Sequence, residues 1–285
     1  MNSIDKFSLG TANLCSNYGL KNSEINKNDL DKVFNFLKKN NLLSIDTAIS
    51  YKNEYILSKY INKDWLITSK LPSLKNSSSN VKYIKKSIKE HILKLNLKKI
   101  DCLLIHDLQD IEIFGEEIWN ELKKLQKDNL VSKIGISLYD NTDFLEFIEL
   151  VKPDILQVPA NVFDRRFLNK NFLNIVDKYK IEIQARSIFL QGLLLNINDY
   201  KKKFANHQKI LNDYNNWLNR HRIDPIKASI SFVKQYKFIN KYIFGIDNYN
   251  NLLEICDILN QKNSLLIPKK FQVNNLELIN PYNWY

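Results

Sequence analysis

Cysteine is scarce in this chain and scattered. Cys15, Cys102 and Cys256 are an odd, widely spaced set without a CxxC. That excludes a disulfide framework and the usual zinc patterns. Cys102 falls in an expected buried strand, where it reads as a small packed hydrophobe. Long apolar runs are missing as well. No segment is long and apolar enough to span a bilayer, and the opening Met1-Asn2-Ser3-Ile4-Asp5-Lys6 has no signal-type apolar stretch. The expectation is a soluble, cytoplasmic protein without a membrane partner. Acids are the minority charge: 42 Lys and Arg face 31 Asp and Glu, a formal +11. The bases are dispersed along the chain, and even runs such as Lys201-Lys202-Lys203 are short. A dispersed positive balance argues for solubility and electrostatic steering and against a nucleic-acid footprint. Linkers, low-complexity segments and internal repeats are also lacking.

What is present suits a packed core, with 44% hydrophobic residues over 285 positions. Short apolar strands alternate with helical patterns. The strands read as Phe7 to Ala12, Leu42 to Ala48, Trp65 to Ser69, Ile100 to Ile105, Val131 to Ser137, Ile155 to Val158, Ile181 to Arg186 and Lys241 to Phe244. Between them, Leu30, Val33, Phe34 and Leu37 follow a helix start at Asn28, with Asp31 as its capping partner. Ile84, Ile88, Ile92 and Leu95 make a second apolar stripe, and His91 shares its side. Pro225 suits the first residue of a helix reaching about Tyr236. The alternation implies a parallel sheet, because each parallel crossover needs a helix. Neither GxGxxG nor GxxxxGK[ST] follows the first strand, which removes the usual phosphate loops of open sheets.

A closed barrel fits better than an open sheet. Three strands end in polar residues: Ile45-Asp46 runs on to Tyr51, Ile67-Thr68-Ser69 reaches Lys70, and Leu103-Leu104-Ile105 reaches His106. Apolar strands that deliver one polar side chain each at the carboxyl end build the active face of a (β/α)8 TIM barrel. One barrel domain over residues 1–285 is expected, with the tail 263–285 beside the substrate pocket.

In order and spacing these residues resemble the catalytic tetrad of the aldo-keto reductases. Further matches run along nearly the whole chain: Leu9-Gly10-Thr11-Ala12, Asp46-Thr47-Ala48, Tyr51 with Glu54, Ile134-Gly135-Ile136-Ser137, Leu156-Gln157-Val158-Pro159-Ala160-Asn161 and Arg186 to Leu194. The Phe189-Leu190-Gln191-Gly192-Leu193-Leu194 segment and the Asn280-Pro281-Tyr282-Asn283-Trp284 ending resemble a bacterial branch associated with surface-polysaccharide biosynthesis.

The resemblance implies reduction of an aldehyde or ketone, with a sugar-derived carbonyl preferred. Such chemistry needs a proton donor for the developing alkoxide. A phenol with an ordinary pKa near 10 needs help at neutral pH, and a nearby ammonium favours its phenolate. By resemblance Tyr51 is the general acid, His106 orients the carbonyl, and Asp46 and Lys70 tune the phenol. Gly10 and Thr11 approach the cofactor through backbone, and Ser137 and Gln157 bind the nicotinamide carboxamide. Two positions depart from the family pattern. Arg186 stands where many members stack a Tyr on the nicotinamide, and Leu138 replaces an Asn that binds the carboxamide.

The adenosine end falls on Gly245, Asp247 and Asn251, with Glu254 matching an adenine contact. NADP(H) is the family default. An acid with no Arg or Lys nearby suits a 2′-hydroxyl better than a 2′-phosphate, so NAD(H) is the alternative. Two other functions share these residues: a regulatory subunit that binds the cofactor, and a sugar epimerase that uses it transiently.

Overall fold

The computed structural model of the chain describes residues 2–14, 19–20, 25–74, 81–139, 144–262 and 265–284, apart from the side chains of Lys82 and Phe144. Cys15 and Tyr18 lie outside the described residues. Eight parallel strands close into one barrel in sequence order. They are β1 (Phe7–Gly10), β2 (Ser44–Asp46), β3 (Leu66–Lys70), β4 (Ile100–Ile105), β5 (Val131–Ser137), β6 (Ile155–Pro159), β7 (Glu182–Arg186) and β8 (Ile239–Phe244). β8 returns to β1 with Phe7 opposite Tyr242. The barrel expected from the polar strand ends is thus the observed fold.

Helices occupy the crossovers, namely α1 (Lys27–Lys39), α2 (Glu54–Leu57), α3 (Ile84–Lys94), α4 (Gln109–Lys127), α5 (Phe144–Val151), α6 (Lys170–Tyr179), α7 (Ile197–Tyr200), α8 (Gln208–His221) and α9 (Pro225–Lys234), and α10 (Tyr249–Asn260) and α11 (Leu276–Ile279) follow β8. α1 buries Leu30, Val33, Phe34 and Leu37, the stripe read from the sequence. Its cap is Asn26, whose side chain accepts from Asp29 N–H, and not Asn28. Both asparagines have an acid three residues on, so local pattern could not separate them. Pro225 opens α9 as expected, behind a capping Asp224.

Strand contacts leave no room at Gly135. A Cβ there would lie 2.2 Å from Ile155 O. β5 and β6 can therefore approach only with glycine at that position, which fixes the row holding Ser137 and Gln157. The tail returns across the barrel. Val273 N–H donates to Phe163 O at 2.8 Å, Arg165 Nη2 to Pro268 O at 2.8 Å, and Phe271, Leu278 and Ile279 are buried. No helix among the described residues is long and apolar enough to cross a membrane.

Candidate active site

The carboxyl ends of the strands open into a cavity of about 620 Å³. Asp46, Tyr51, Lys70 and His106 all line it, together with Gly10, Thr11, Gln157, Arg186, Gly245, Asp247 and Asn251. Pro281 and Tyr282 of the tail line it too. Ser137 is fully buried at the end of β5, directly opposite Gln157 on β6. Glu254 is exposed on α10 and is not part of the lining.

The charged centre is built from two adjacent strands. Lys70, at the end of β3, is almost wholly buried. Its Nζ donates to Asp46 Oδ1 at 2.6 Å and to Thr47 O at 3.0 Å. Burial pushes the Lys70 ammonium down, Asp46 opposes this, and Arg186 adds to the depression. The same Nζ lies 5.7 Å from the centroid of the Tyr51 ring. Tyr51 sits in a short 3₁₀ turn, Ile49–Tyr51, whose flanks are pinned. Thr47 Oγ1 donates to Asn53 Oδ1 at 3.0 Å, and Asn53 Nδ2 donates to Thr11 O at 2.9 Å. Thr11 Oγ1 in turn donates to Asp46 O at 3.0 Å. The loop is thereby fastened to β1 and β2.

Gly10 serves as backbone. A Cβ on it would press against Ile243 Cγ2 at 3.1 Å and Phe244 O at 3.3 Å, so β1 and β8 meet closely there.

Gln157 has a neighbour that spacing could not reveal. Its Nε2 donates to Asp46 Oδ2 at 2.6 Å across the barrel and lies 3.2 Å from Gln184 Oε1. Both oxygens of Asp46 are therefore engaged. Gln157 Oε1 and Ser137 Oγ remain buried without hydrogen-bond partners. Unpaired buried polar atoms are costly, and here two of them belong to residues opposite one another on neighbouring strands.

Tyr139 is the residue that the sequence reading missed. Its hydroxyl lies 2.9 Å from His106 Nε2, and its ring lies over the Arg186 guanidinium, 4.1 Å from the central carbon. An aromatic two residues past a strand end was the available signal, but its partners come from β4 and β7. Leu138 contributes its carbonyl, which accepts from Arg186 Nη2 at 2.7 Å.

His106 is pushed down to about 3 by burial, then by the positive charges of Lys70 and Arg186, against a smaller opposing pull from Asp107. The ring is neutral at pH 7. The unfolded chain's histidine titrates near 6.5, so between those values the unfolded state binds a proton that the folded state refuses. Stability therefore falls as pH drops through this window. Urea unfolding at pH 7 and pH 5 should show wild type losing about 2 kcal/mol more than His106→Gln. Equal losses would contradict the depressed histidine.

A second polar chain lies behind the cavity wall. Glu54 Oε1 is 2.8 Å from His91 Nδ1, and His91 Nε2 is 2.9 Å from Ser69 Oγ. All three are buried and none lines the cavity. His91, read as a packed histidine, is indeed core, and it ties the helix after Tyr51 to the strand of Lys70. Burial raises the Glu54 carboxyl, and the bond to His91, a backbone hydrogen bond and the charges of His91 and Lys94 together outweigh it, so the net shift is downward. His91→Leu strands that carboxylate. Chemical denaturation should record a loss of about 3 kcal/mol, which adding Glu54→Gln partly restores; an unchanged midpoint in His91→Leu would refute the link.

A family model described as Aldo/keto reductase family matches residues 6–266. The chain belongs to the aldo/keto reductase family. Membership makes it an NAD(P)-dependent oxidoreductase acting on small carbonyl compounds. Its relatives are distant. The aldo/keto reductase chain is 27% identical over 233 residues to a protein named glyoxal reductase from Bacillus subtilis (strain 168), covering 78% of this chain and 80% of that one. It is 26% identical over 285 residues to aldose reductase C of Dictyostelium discoideum, covering 86% of each. Among solved structures, a glycerol dehydrogenase from Gluconobacter oxydans shares the fold with a TM-score of 0.67 at 19% identity, over 93% of this chain and 89% of that one.

Proposed function

We propose that this reductase converts a small oxygenated aldehyde or ketone to an alcohol, with Tyr51 as proton donor and NADH as the preferred cofactor. The observation that carries the proposal is the convergence of the Tyr51 ring, the Lys70–Asp46 pair and a neutral His106 at one end of one cavity. The residues present fit a nicotinamide. Ser137 Oγ and Gln157 Oε1 are two orphaned buried atoms on neighbouring strands, and a carboxamide would engage both. When bound, the reduced ring supplies the hydride.

The protein's own groups do the rest. Tyr51 donates its hydroxyl proton to the carbonyl oxygen as that oxygen gains negative charge. Lys70 stabilises the phenolate left behind. Asp46 holds Lys70, and Gln157 holds the second oxygen of Asp46. His106 is too weak a base to be protonated at pH 7, so it acts by hydrogen bonding. Tyr139 contacts the same Nε2 that would meet a substrate carbonyl, and the two are therefore competing partners of His106.

At the far end Asp247 and Asn251 line the cavity, and Asp247 N–H lies 3.5 Å from Asn251 Oδ1. The exposed Asp247 carboxylate repels a 2′-phosphate and accepts from a 2′-hydroxyl. Titration followed by nicotinamide fluorescence should give NADH the lower Kd by roughly tenfold, with Asp247→Ala narrowing the gap. Tighter NADPH binding would reverse the assignment. The relatives named glyoxal reductase and aldose reductase support small, oxygen-rich carbonyls, including sugar-derived ones, as the class to screen.

A further inference from the structure

Arg186 carries a charge without a counter-ion among the described residues. Its Nη2 donates to Leu138 O and its Nη1 to Ser187 Oγ at 3.2 Å. Its Nε is buried without a partner. Asp46, the carboxylate of the charged centre, is held by Lys70 and Gln157. What the guanidinium does hold is a ring, that of Tyr139. A planar guanidinium offers its face to flat π systems, and the strength of that contact depends on the electron density of the ring.

Strand register says which other ring this face can take. Ser137 stands opposite Gln157, and Pro159, two residues further along β6, stands opposite Arg186. The two orphaned oxygens and the guanidinium therefore occupy three neighbouring strands at the same end of the barrel. A flat ring bearing a carboxamide matches that set, with the amide toward Ser137 and Gln157 and the ring toward Arg186. Tyr139 and the ring are then alternative occupants of one face. This step rests on the nicotinamide reading given above.

The two redox forms of that ring differ by one unit of charge. The reduced ring is neutral and electron-rich, and the oxidised ring is a cation. We propose that Arg186 makes the site selective for redox state: the guanidinium attracts the reduced nicotinamide and repels the oxidised one. The neighbouring Lys70 ammonium adds to the repulsion, and the charge of Arg186 reaches far enough to disfavour protonation of both Lys70 and His106. Two like charges within contact distance in a partly buried site are worth at least a tenfold change in affinity. The oxidised product is then released readily, which biases the enzyme toward reduction.

The test is a set of four dissociation constants, for NADH, NAD⁺, NADPH and NADP⁺, in wild type, Arg186→Gln and Arg186→Lys at one ionic strength. Wild type should bind the reduced form of its preferred cofactor at least about tenfold more tightly than the oxidised form. Arg186→Gln should bring the two within about threefold, mainly by tightening the oxidised form, and Arg186→Lys should keep the preference because it keeps the charge. Equal binding of both forms by wild type overturns the inference alone. A ratio unchanged in Arg186→Gln does so too. Binding of neither form overturns it together with the nicotinamide reading.

Discussion

Tyr51→Phe should lower kcat by about three orders of magnitude while leaving the Kd for the cofactor within a few-fold of wild type. The expected loss is large because other candidates for the proton are poor. His106 is neutral at pH 7. Lys70 is committed to Asp46 and Thr47 O, and losing its proton would leave Asp46 without its ion-pair partner. Among the described residues lining the cavity, Tyr139 and Tyr282 are the other phenols, and Tyr139 already touches His106. Tyr139→Phe is therefore the informative control. It should retain kcat within a few-fold, because Tyr139 lies over Arg186, whereas the Tyr51 ring has the Lys70 ammonium 5.7 Å from its centroid. Single-turnover rates of the two variants decide the matter. Loss of turnover in Tyr139→Phe with turnover kept in Tyr51→Phe would reassign the acid.

Lys70→Met should cost both activity and stability, and the two losses should separate in a double variant. The methionine keeps the apolar stem and removes the charge. Asp46 then remains buried, with Gln157 as its surviving side-chain donor. Removing one partner of a buried ion pair costs about 3–5 kcal/mol, which urea unfolding would register directly. Turnover should fall by at least about a hundredfold, since the phenolate loses its stabilising charge. Adding Asp46→Asn removes the stranded carboxylate and should recover much of the stability and none of the activity. A Lys70→Met protein with wild-type turnover would show that Lys70 is only a structural cation.

The sequence was informative where one residue type had to sit at one strand end. Ile45-Asp46, Ser69-Lys70 and Ile105-His106 announce themselves because a polar residue closes an apolar run, and the barrel delivers all three to one cavity. The α1 stripe was legible for the same reason: periodicity is local. The contacts that set the chemistry of the site are not local. Gln157 meets Asp46 across 111 positions of chain, so its double role was invisible beside its expected part in carboxamide binding. Arg186 could be seen to replace an aromatic, but not to gather one from the end of β5. His91 looked like a packing residue on an apolar helix face. It is one, yet the Glu54 and Ser69 that satisfy it come from two other elements. Glu254, an adenine contact by resemblance, faces solvent on α10 outside the lining of the cavity.

Hydride delivery to a carbonyl carbon is the central claim, and isotope transfer tests it most directly. The purified protein would be given NADH carrying deuterium at both C4 positions and a panel of small oxygenated aldehydes and ketones, with products read by mass spectrometry. The account predicts an alcohol that gains one deuterium on the former carbonyl carbon with wild type and almost none with Tyr51→Phe. Tight cofactor binding with no labelled product from any carbonyl would contradict it, and would favour a protein that binds the nucleotide without reducing anything.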